Sequence, residues 1–201
     1  MIDYQEVLKD IDSFFNFLLK KFPEALQYEE KWKKYHMSII KESSKIALVS
    51  ERDLYFIARK HFTDSVLISR NIDKPSITDI GSGAGFPGVP LAILNPEKSI
   101  FLIERNVKKT VFLKEVKLAL GLKNVRVIRE DLSRMDEIPG EAFVSRAADY
   151  EKILKILKEK NLKNRKFYAV VPFKKDIKEP FIEILNPLTE EKFKLLDIEL
   201  F

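Results

Sequence analysis

Residues 79–90 read Asp-Ile-Gly-Ser-Gly-Ala-Gly-Phe-Pro-Gly-Val-Pro, and no other stretch of the chain narrows the possible folds so far. The preceding Ser76-Ile77-Thr78 suits a strand, which Asp79 closes. Gly81, Gly83 and Gly85 make a turn without side chains. Pro87 is a good first helical residue, because its missing N–H would be unpaired there anyway. A strand, a glycine loop and a helix in that order form a nucleotide-binding device. Bare backbone lets a ligand approach closely, and the helix N-terminus points N–H groups at it.

The pattern around this loop is α/β. Strand-like runs recur at Ile77–Ile80, Ser99–Glu104, Val125–Arg129, Ala142–Ser145, Phe167–Val171 and Phe193–Leu200. Helix-like runs lie between them at Val89–Leu94, Val107–Leu120 and Tyr150–Glu159. Such alternation predicts βαβ units and a mostly parallel sheet, with the ligand at the carboxyl ends of the strands. Residues 71–201 are therefore expected to form a Rossmann-like unit, bounded by the turn-rich Asn71-Ile72-Asp73-Lys74-Pro75.

Residues 1–70 predict a helical segment packing on that sheet. Val7, Leu8, Ile11, Phe14, Phe15, Leu18, Leu19 and Phe22 recur at helical spacing. Pro23 ends that helix and starts another through Trp32 toward Lys41. Ser43-Ser44 marks a loop. Ser50 with Asp53 three on resembles a helix start, followed by Leu54, Ile57, Ala58 and Phe62.

Charge separates the two halves of this segment. Residues 1–30 carry three Lys/Arg against seven Asp/Glu, and residues 31–70 carry nine against four. The second half is a basic belt that suits a nucleic-acid partner, though solvated helix faces read the same way. The chain has 201 residues and no Cys, which removes thiol catalysis and Cys-ligated zinc. Its two histidines lack paired ligand spacing, so no metal is expected. Without a membrane-length apolar run or a signal-like start, the expectation is a cytoplasmic protein with no membrane partner.

Two nucleotide readings of the glycine loop compete. Gly83-x-Gly85-x-x-Gly88 fits the dinucleotide fingerprint of nicotinamide-dependent oxidoreductases. Asp79-x-Gly81-x-Gly83-x-Gly85 fits the first motif of S-adenosylmethionine methyltransferases, with the Asp79 carboxylate orienting the loop. Glu104, at the end of the next strand, can accept from ribose hydroxyls in either case, or be simply solvated. Asp131, after Val127-Ile128-Arg129-Glu130, can accept from an adenine amino group while Leu132 packs on the ring. It can equally cap the following turn. The three acids together tilt the reading toward the methyl donor.

Several segments, in order, resemble the RsmG (GidB) family of bacterial 16S rRNA guanine-N7 methyltransferases. The 79–93 stretch is close to that family's first motif, above all in Gly-Phe-Pro-Gly-Val-Pro. His61-Phe62-Thr63-Asp64-Ser65 resembles its His-x-x-Asp-Ser. Lys108-Lys109 with Phe112-Leu113, Arg129-Glu130-Asp131 and Ser145-Arg146-Ala147 follow in the family's order. The resemblance implies that S-adenosyl-L-methionine is the cofactor. It implies contacts from Gly81, Phe86, Glu130, Asp131 and Arg146, with Glu104 at the ribose. It places Arg146 where cofactor and target base meet. Asp79, Gly83 and Gly85 complete the expected cofactor loop. The expected partner is 16S rRNA or the small ribosomal subunit, bound by a monomer. Two departures stand out: Ala47-Leu48-Val49 lacks the family's Asn, and Val170-Val171-Pro172 lacks its Lys, for which Lys174 or Lys175 can substitute.

The chemistry agrees with the resemblance. Guanine N7 carries a free lone pair and needs alignment more than a base. Cytosine C5 chemistry usually needs a Cys nucleophile. Ser145-Arg146-Ala147-Ala148 also lacks the Pro-Pro-aromatic motif of amino-group methylation. Arg146, the expected catalytic residue, can donate to guanine O6, to phosphate or to a cofactor carboxylate, or form an ion pair with Asp149 or another acid. His61, Arg52, Lys108 and Lys109 are candidate RNA contacts. His61 also reads as a partly buried histidine, and the lysines as a helix crown. His36 reads as surface. In Lys31-Trp32-Lys33-Lys34-Tyr35, Trp32 suits either base stacking or a helix interface. A non-catalytic RNA-binding module with the same fold is a further alternative.

Overall fold

The computed structural model describes residues 3–146 and 149–200. Ala147 and Ala148 of the Ser-Arg-Ala match lie outside the described residues. Seven strands make one sheet: β1 Ser76–Ile80, β2 Ser99–Ile103, β3 Val125–Ile128, β4 Ala142–Arg146, β5 Arg165–Pro172, β6 Phe181–Leu185 and β7 Lys192–Leu200. Their spatial order is β3-β2-β1-β4-β5-β7-β6. The first five are parallel, and β7 runs antiparallel between β5 and β6. The chain moves outward from β1 through β2 to β3, then returns to add β4 on the other side. That reversal opens a crevice at the carboxyl ends of β1 and β4, where α/β sheets bind ligands.

Apolar residues on both faces of the strands give the sheet two cores. On one face, α6 (Tyr150–Glu159) covers Ile80, Ile103, Phe143, Phe167 and Leu196. The other face carries α4 (Gly88–Leu94) and α5 (Val107–Ala119). The N-terminal helices α1 (Tyr4–Lys21), α2 (Glu29–Ser43) and α3 (Thr63–Ser69) join them there. Phe14, Trp32, Tyr35 and Phe62 share one buried cluster with Ile77, Leu102 and Val144 of the sheet. No described helix is long and apolar enough to cross a membrane.

The N-terminal layer departs from its periodicity in instructive ways. Leu8 and Leu19 are 52% and 62% exposed, while Phe17 and Asp10 lie on the buried stripe instead. Asp10 accepts from the N–H groups of Ala58 and Arg59 at 2.7 and 3.0 Å and from Arg59 Nε at 3.1 Å. His36, expected at the surface, is buried 3.1 Å from the same carboxylate. Asp10 thereby supplies long-range partners to a segment that is irregular. The expected helix after Ser50 is a 3₁₀ turn at Arg52–Tyr55, a π-helical turn at Ile57–Phe62 and only then α3. Trp32 packs edge-on against Phe14, 5.1 Å between centroids, and is fully buried, so it offers no ring to RNA.

One strand escaped the sequence pattern. Phe181–Leu185 pairs only with β7, and most of it is exposed, so neither a buried apolar run nor a clean alternation marks it.

Candidate functional site

The glycine loop is held at the crevice by its own backbone and two acids. Gly81 and Ser82 donate to the carbonyl of Ile103 at 2.9 and 3.0 Å, fixing the loop to the end of β2. The Glu104 carboxylate takes the Gly83 N–H at 2.9 Å and the Asn106 N–H at 2.7 Å, so it ties the loop to the start of α5. From the other side, Tyr35 of α2 donates to the Ala84 carbonyl at 2.8 Å.

Asp79 does not open onto a cavity. It is fully buried, and its Oδ2 accepts from the Gly88 N–H at 3.0 Å while Oδ1 has no partner. Burial pushes its carboxyl up to about 7, and the nearby Glu104 adds to this. Pro87 is the cap residue and Gly88 the first helical one, one position later than expected. The α4 N-terminus therefore meets Asp79 rather than a ligand.

The glycines divide by role. Gly83, at φ +57°, has open space where a side chain would point, with only Gly81 O at 3.8 Å. Gly85 faces inward: a Cβ there would sit 2.7 Å from the Tyr35 hydroxyl. Gly81 and Gly83 line the crevice, while Gly85 packs.

Among the described residues, three cavities lie along the carboxyl edge of the sheet. One of about 380 Å³ is lined by Gly81, Glu104, Glu130, Asp131 and Leu132. The next, about 300 Å³, shares Gly81 and adds Gly83, Phe86, His61, Lys109 and Arg146. The third, about 710 Å³, shares His61 and Arg146 and runs out to Phe173, Lys174 and Lys192. Asp131 both lines the first cavity and caps the turn at Leu132–Arg134. It accepts from Ser133, which lowers its carboxyl to about 2, and meets Arg105 at 3.3 Å. Glu130 is exposed and accepts from the Asp131 N–H at 2.9 Å.

Arg146 closes β4 and pairs with Asp64, not Asp149, at 2.5 Å. Asp149 caps α6. The other Asp64 oxygen accepts from Asn186 Nδ2 at 2.6 Å, and the same Asn186 nitrogen reaches the Arg59 carbonyl at 2.9 Å. Burial lifts Asp64 above the ordinary carboxylate value, although Arg146 and Asn186 pull it back. No local signal marks Asn186, which lies 122 residues from its acid.

His61 is stacked on Phe86, 4.8 Å between centroids, with neither ring nitrogen hydrogen-bonded. Burial, helped by the charge on Arg146, pushes its imidazole down to about 4, so it is neutral at pH 7. Asp53 sits 3.7 Å away, too far for a hydrogen bond. Of the other expected RNA contacts, Lys109 lines the middle cavity and Lys108 points outward. Arg52 lies in a separate cleft of about 230 Å³. Of the two stand-in lysines, Lys174 lines the large cavity, whereas Lys175 pairs with Glu151 at 3.2 Å.

Comparisons with known proteins agree with this geometry. Residues 28–178 match the GidB family, described as rRNA small subunit methyltransferase G. Relatives named ribosomal RNA small subunit methyltransferase G include one from Nitrosomonas eutropha, 33% identical, covering 68% of this chain and 66% of its own length. One from Borrelia hermsii is 35% identical over 72% of this chain and 74% of its own. One from Vibrio campbellii is 43% identical over 48% and 44%. The chain thus spans from 44% to 74% of the length of these three relatives. Among solved structures, a mutant of MtNAS in complex with S-adenosylmethionine superposes with a TM-score of 0.56 at 14% identity, over 84% of this chain and 73% of that one. Precorrin-6y C5,15-methyltransferase from Geobacter metallireducens gives 0.51 at 12% identity, over 77% and 91%. These likenesses show the Rossmann-like α/β fold.

Proposed function

The chain belongs to the GidB family, matched over residues 28–178, and on that premise we propose that it transfers a methyl group from S-adenosylmethionine to guanine N7 of 16S rRNA. The observation that carries the reading is the Gly81–Gly83 turn, fastened by Glu104 and shared by two cavities of different chemistry. One side offers the Glu104 and Asp131 carboxylates beside apolar Leu132, which suits ribose hydroxyls and an adenine. The other offers bare glycine backbone with the cations of Lys109 and Arg146, which suits an amino-acid carboxylate. The open space at Gly83 is the cradle that such a molecule needs, so the residues present fit it.

S-adenosylmethionine, when bound, supplies an electrophilic methyl on a sulfonium. The chain's own task is alignment. The N7 lone pair is free at neutral pH, so no protein base has to remove a proton. The Gly81–Gly83 turn and Glu104 would hold the cofactor, and the methyl it would supply to N7 would leave its bonding pair on sulfur. Arg146, between the two larger cavities, is suited to hold guanine O6 beside the reacting N7. Phe86 and His61 wall the path and exclude water. Asp79 and Gly85 act on the loop from beneath. The reading is of a monomer acting in the cytoplasm on the small-subunit RNA. The shared core supports residues 1–70 as an accessory layer on a 71–201 methyltransferase unit.

Calorimetry with S-adenosylmethionine and with NAD, followed by labelled methyl transfer to small ribosomal subunits, tests this reading. Saturable S-adenosylmethionine binding and one new 7-methylguanosine are expected. NAD binding without S-adenosylmethionine binding would overturn the cofactor, and binding without transfer would leave an RNA-binding module.

A further inference from the structure

Resting on the methyltransferase reading above, we infer that the acceptor nucleotide enters through the 710 Å³ cavity between the His61–Asp64 segment and the β5–β7 rim, its base against Phe173 and its flanking phosphates on Lys174 and Lys192.

Position comes first. This cavity touches the glycine-loop cavity only through shared residues, His61, Asp53 and Arg146, so a base within it reaches the Arg146 guanidinium from the side opposite the loop. Its volume falls within the roughly 300–1,000 Å³ typical of small-ligand sites. A base displaced from its helix needs such a pocket, with an apolar wall to stack on and polar groups at its depth.

The wall is present. Val170, Pro172 and Phe193 line it with Phe173, whose ring remains 36% exposed. Two ammonium groups stand over that ring, Lys192 at 5.4 Å and Lys194 at 5.6 Å. A base stacking on Phe173 takes the place of an ammonium over the ring, which is then free to meet the nucleotide's phosphate. At the inner end the cavity is closed by the largely buried His61 ring and by the Arg146 guanidinium.

The charges are arranged accordingly. The acids facing this cavity are engaged: Asp64 by Arg146 and Asn186, Asp53 by Lys60 at 3.2 Å, and Glu191 by Lys60 at 3.6 Å. Among the described residues, Lys174 and Lys192 form no ion pair, so their ammonium groups are available to phosphate. Phosphate contacts position a nucleic acid, and base contacts specify it. Lys192 and Phe193 lie beyond the 28–178 stretch that matches the family, so that match does not assign them a role.

The test uses the full chain with S-adenosylmethionine and small ribosomal subunits from a strain lacking its own family member. The double variant Lys174→Glu/Lys192→Glu is expected to raise KM for subunits at least tenfold, with kcat, cofactor affinity and melting temperature nearly unchanged. Phe173→Ala should lower kcat/KM about tenfold, and Phe173→Tyr should restore it. Lys123→Glu, a charge reversal at the amino end of the sheet, should change nothing. Equal losses in the lysine double variant and Lys123→Glu, or none in either, would overturn the assignment. Ultraviolet crosslinking separates the two levels of the argument. Crosslinks on the Phe173 peptide without methyl transfer would sink the reaction and keep the cavity. Methyl transfer with crosslinks confined to the α5 edge would keep the reaction and sink the cavity.

Discussion

The two walls of the crevice are built in different ways. The glycine-loop wall comes from a short continuous stretch, residues 79–106, and its bonds are mostly backbone to carboxylate: Gly83 to Glu104, Gly88 to Asp79. The opposite wall is gathered from Asp53, His61 and Asp64, from Arg146, and from Asn186, joined by side-chain bonds that span 82 and 122 residues. The first wall is a local shape that the sheet presents. The second exists only when three distant segments have folded together. The loop wall should therefore fail by losing shape, and the opposite wall by stranding a charge.

Asp64→Ala is the most severe way to break the second wall. It leaves Arg146 largely buried and unpaired, and removal of one partner from a buried pair costs about 3–5 kcal/mol. Urea unfolding should show that loss. Asn186→Ala keeps the ion pair but removes the bonds to Asp64 and the Arg59 carbonyl and those accepted from the Leu188 and Thr189 N–H groups; it strands no charge, so it should cost less than Asp64→Ala, about 1–3 kcal/mol. If the two losses are equal, the wall is not organised around the charge.

Within the first wall the comparison is between two glycines. Gly85→Ala forces a Cβ to 2.7 Å from the Tyr35 hydroxyl at φ +103°. Strain and overpacking together should cost roughly 2–5 kcal/mol. Gly83→Ala meets nothing closer than 3.8 Å, so stability should fall only about 1–2 kcal/mol, the left-handed backbone penalty. Its larger effect should be on S-adenosylmethionine affinity, read by calorimetry. An unaffected cofactor affinity in Gly83→Ala would mean that the ligand does not use the turn.

How legible each wall was follows from this construction. Asp79, the glycines and Glu104 lie within 26 residues, so spacing alone places them together; what spacing cannot tell is which glycine faces a ligand and which faces Tyr35. His61, Asp64 and Arg146 were visible through the family resemblance, but the Asp64–Arg146 bond was not, since nothing local marks a pairing across 82 residues. Asn186 was missed because it follows the edge strand β6, itself hidden by its exposure. Asp10 was passed over and His36 misjudged for a related reason. Hydrophobic periodicity counts apolar residues, and a buried polar pair breaks the count without leaving a trace.

The walls should also respond to pH with opposite sign. His61, held near 4 when folded, takes a proton near 6.5 when unfolded, so below that pH the unfolded state binds more protons and stability falls. Asp79, held near 7 when folded, keeps a proton that the unfolded chain releases near 3.8, so stability falls as pH rises between those values. Relative to wild type, His61→Gln should gain stability progressively from pH 6.5 down to 4.5, by about 2–3 kcal/mol, and Asp79→Asn should gain from pH 4 up to 7. Denaturant midpoints across this range measure both. Parallel slopes in the two variants would show that the walls titrate as one unit.

The smallest effect expected is at the exposed corner of the loop wall, where an ion pair invites comparison with Arg146–Asp64. Arg105 lies 3.3 Å from Asp131, but its side chain is 76% exposed. Asp131 is already fixed by the Ser133 N–H and hydroxyl on its other oxygen, at 3.0 and 2.7 Å. Those bonds survive in Arg105→Ala, and water replaces the guanidinium at little cost. The change should stay below about 1 kcal/mol and shrink further in 0.5 M salt, where exposed charges are screened over roughly 4–5 Å. The capped turn at Leu132–Arg134 should remain, so S-adenosylmethionine should bind Arg105→Ala nearly as well as wild type. A loss comparable to that of Asp64→Ala would show that this corner, too, depends on a stranded charge, and the contrast between the two walls would fall with it.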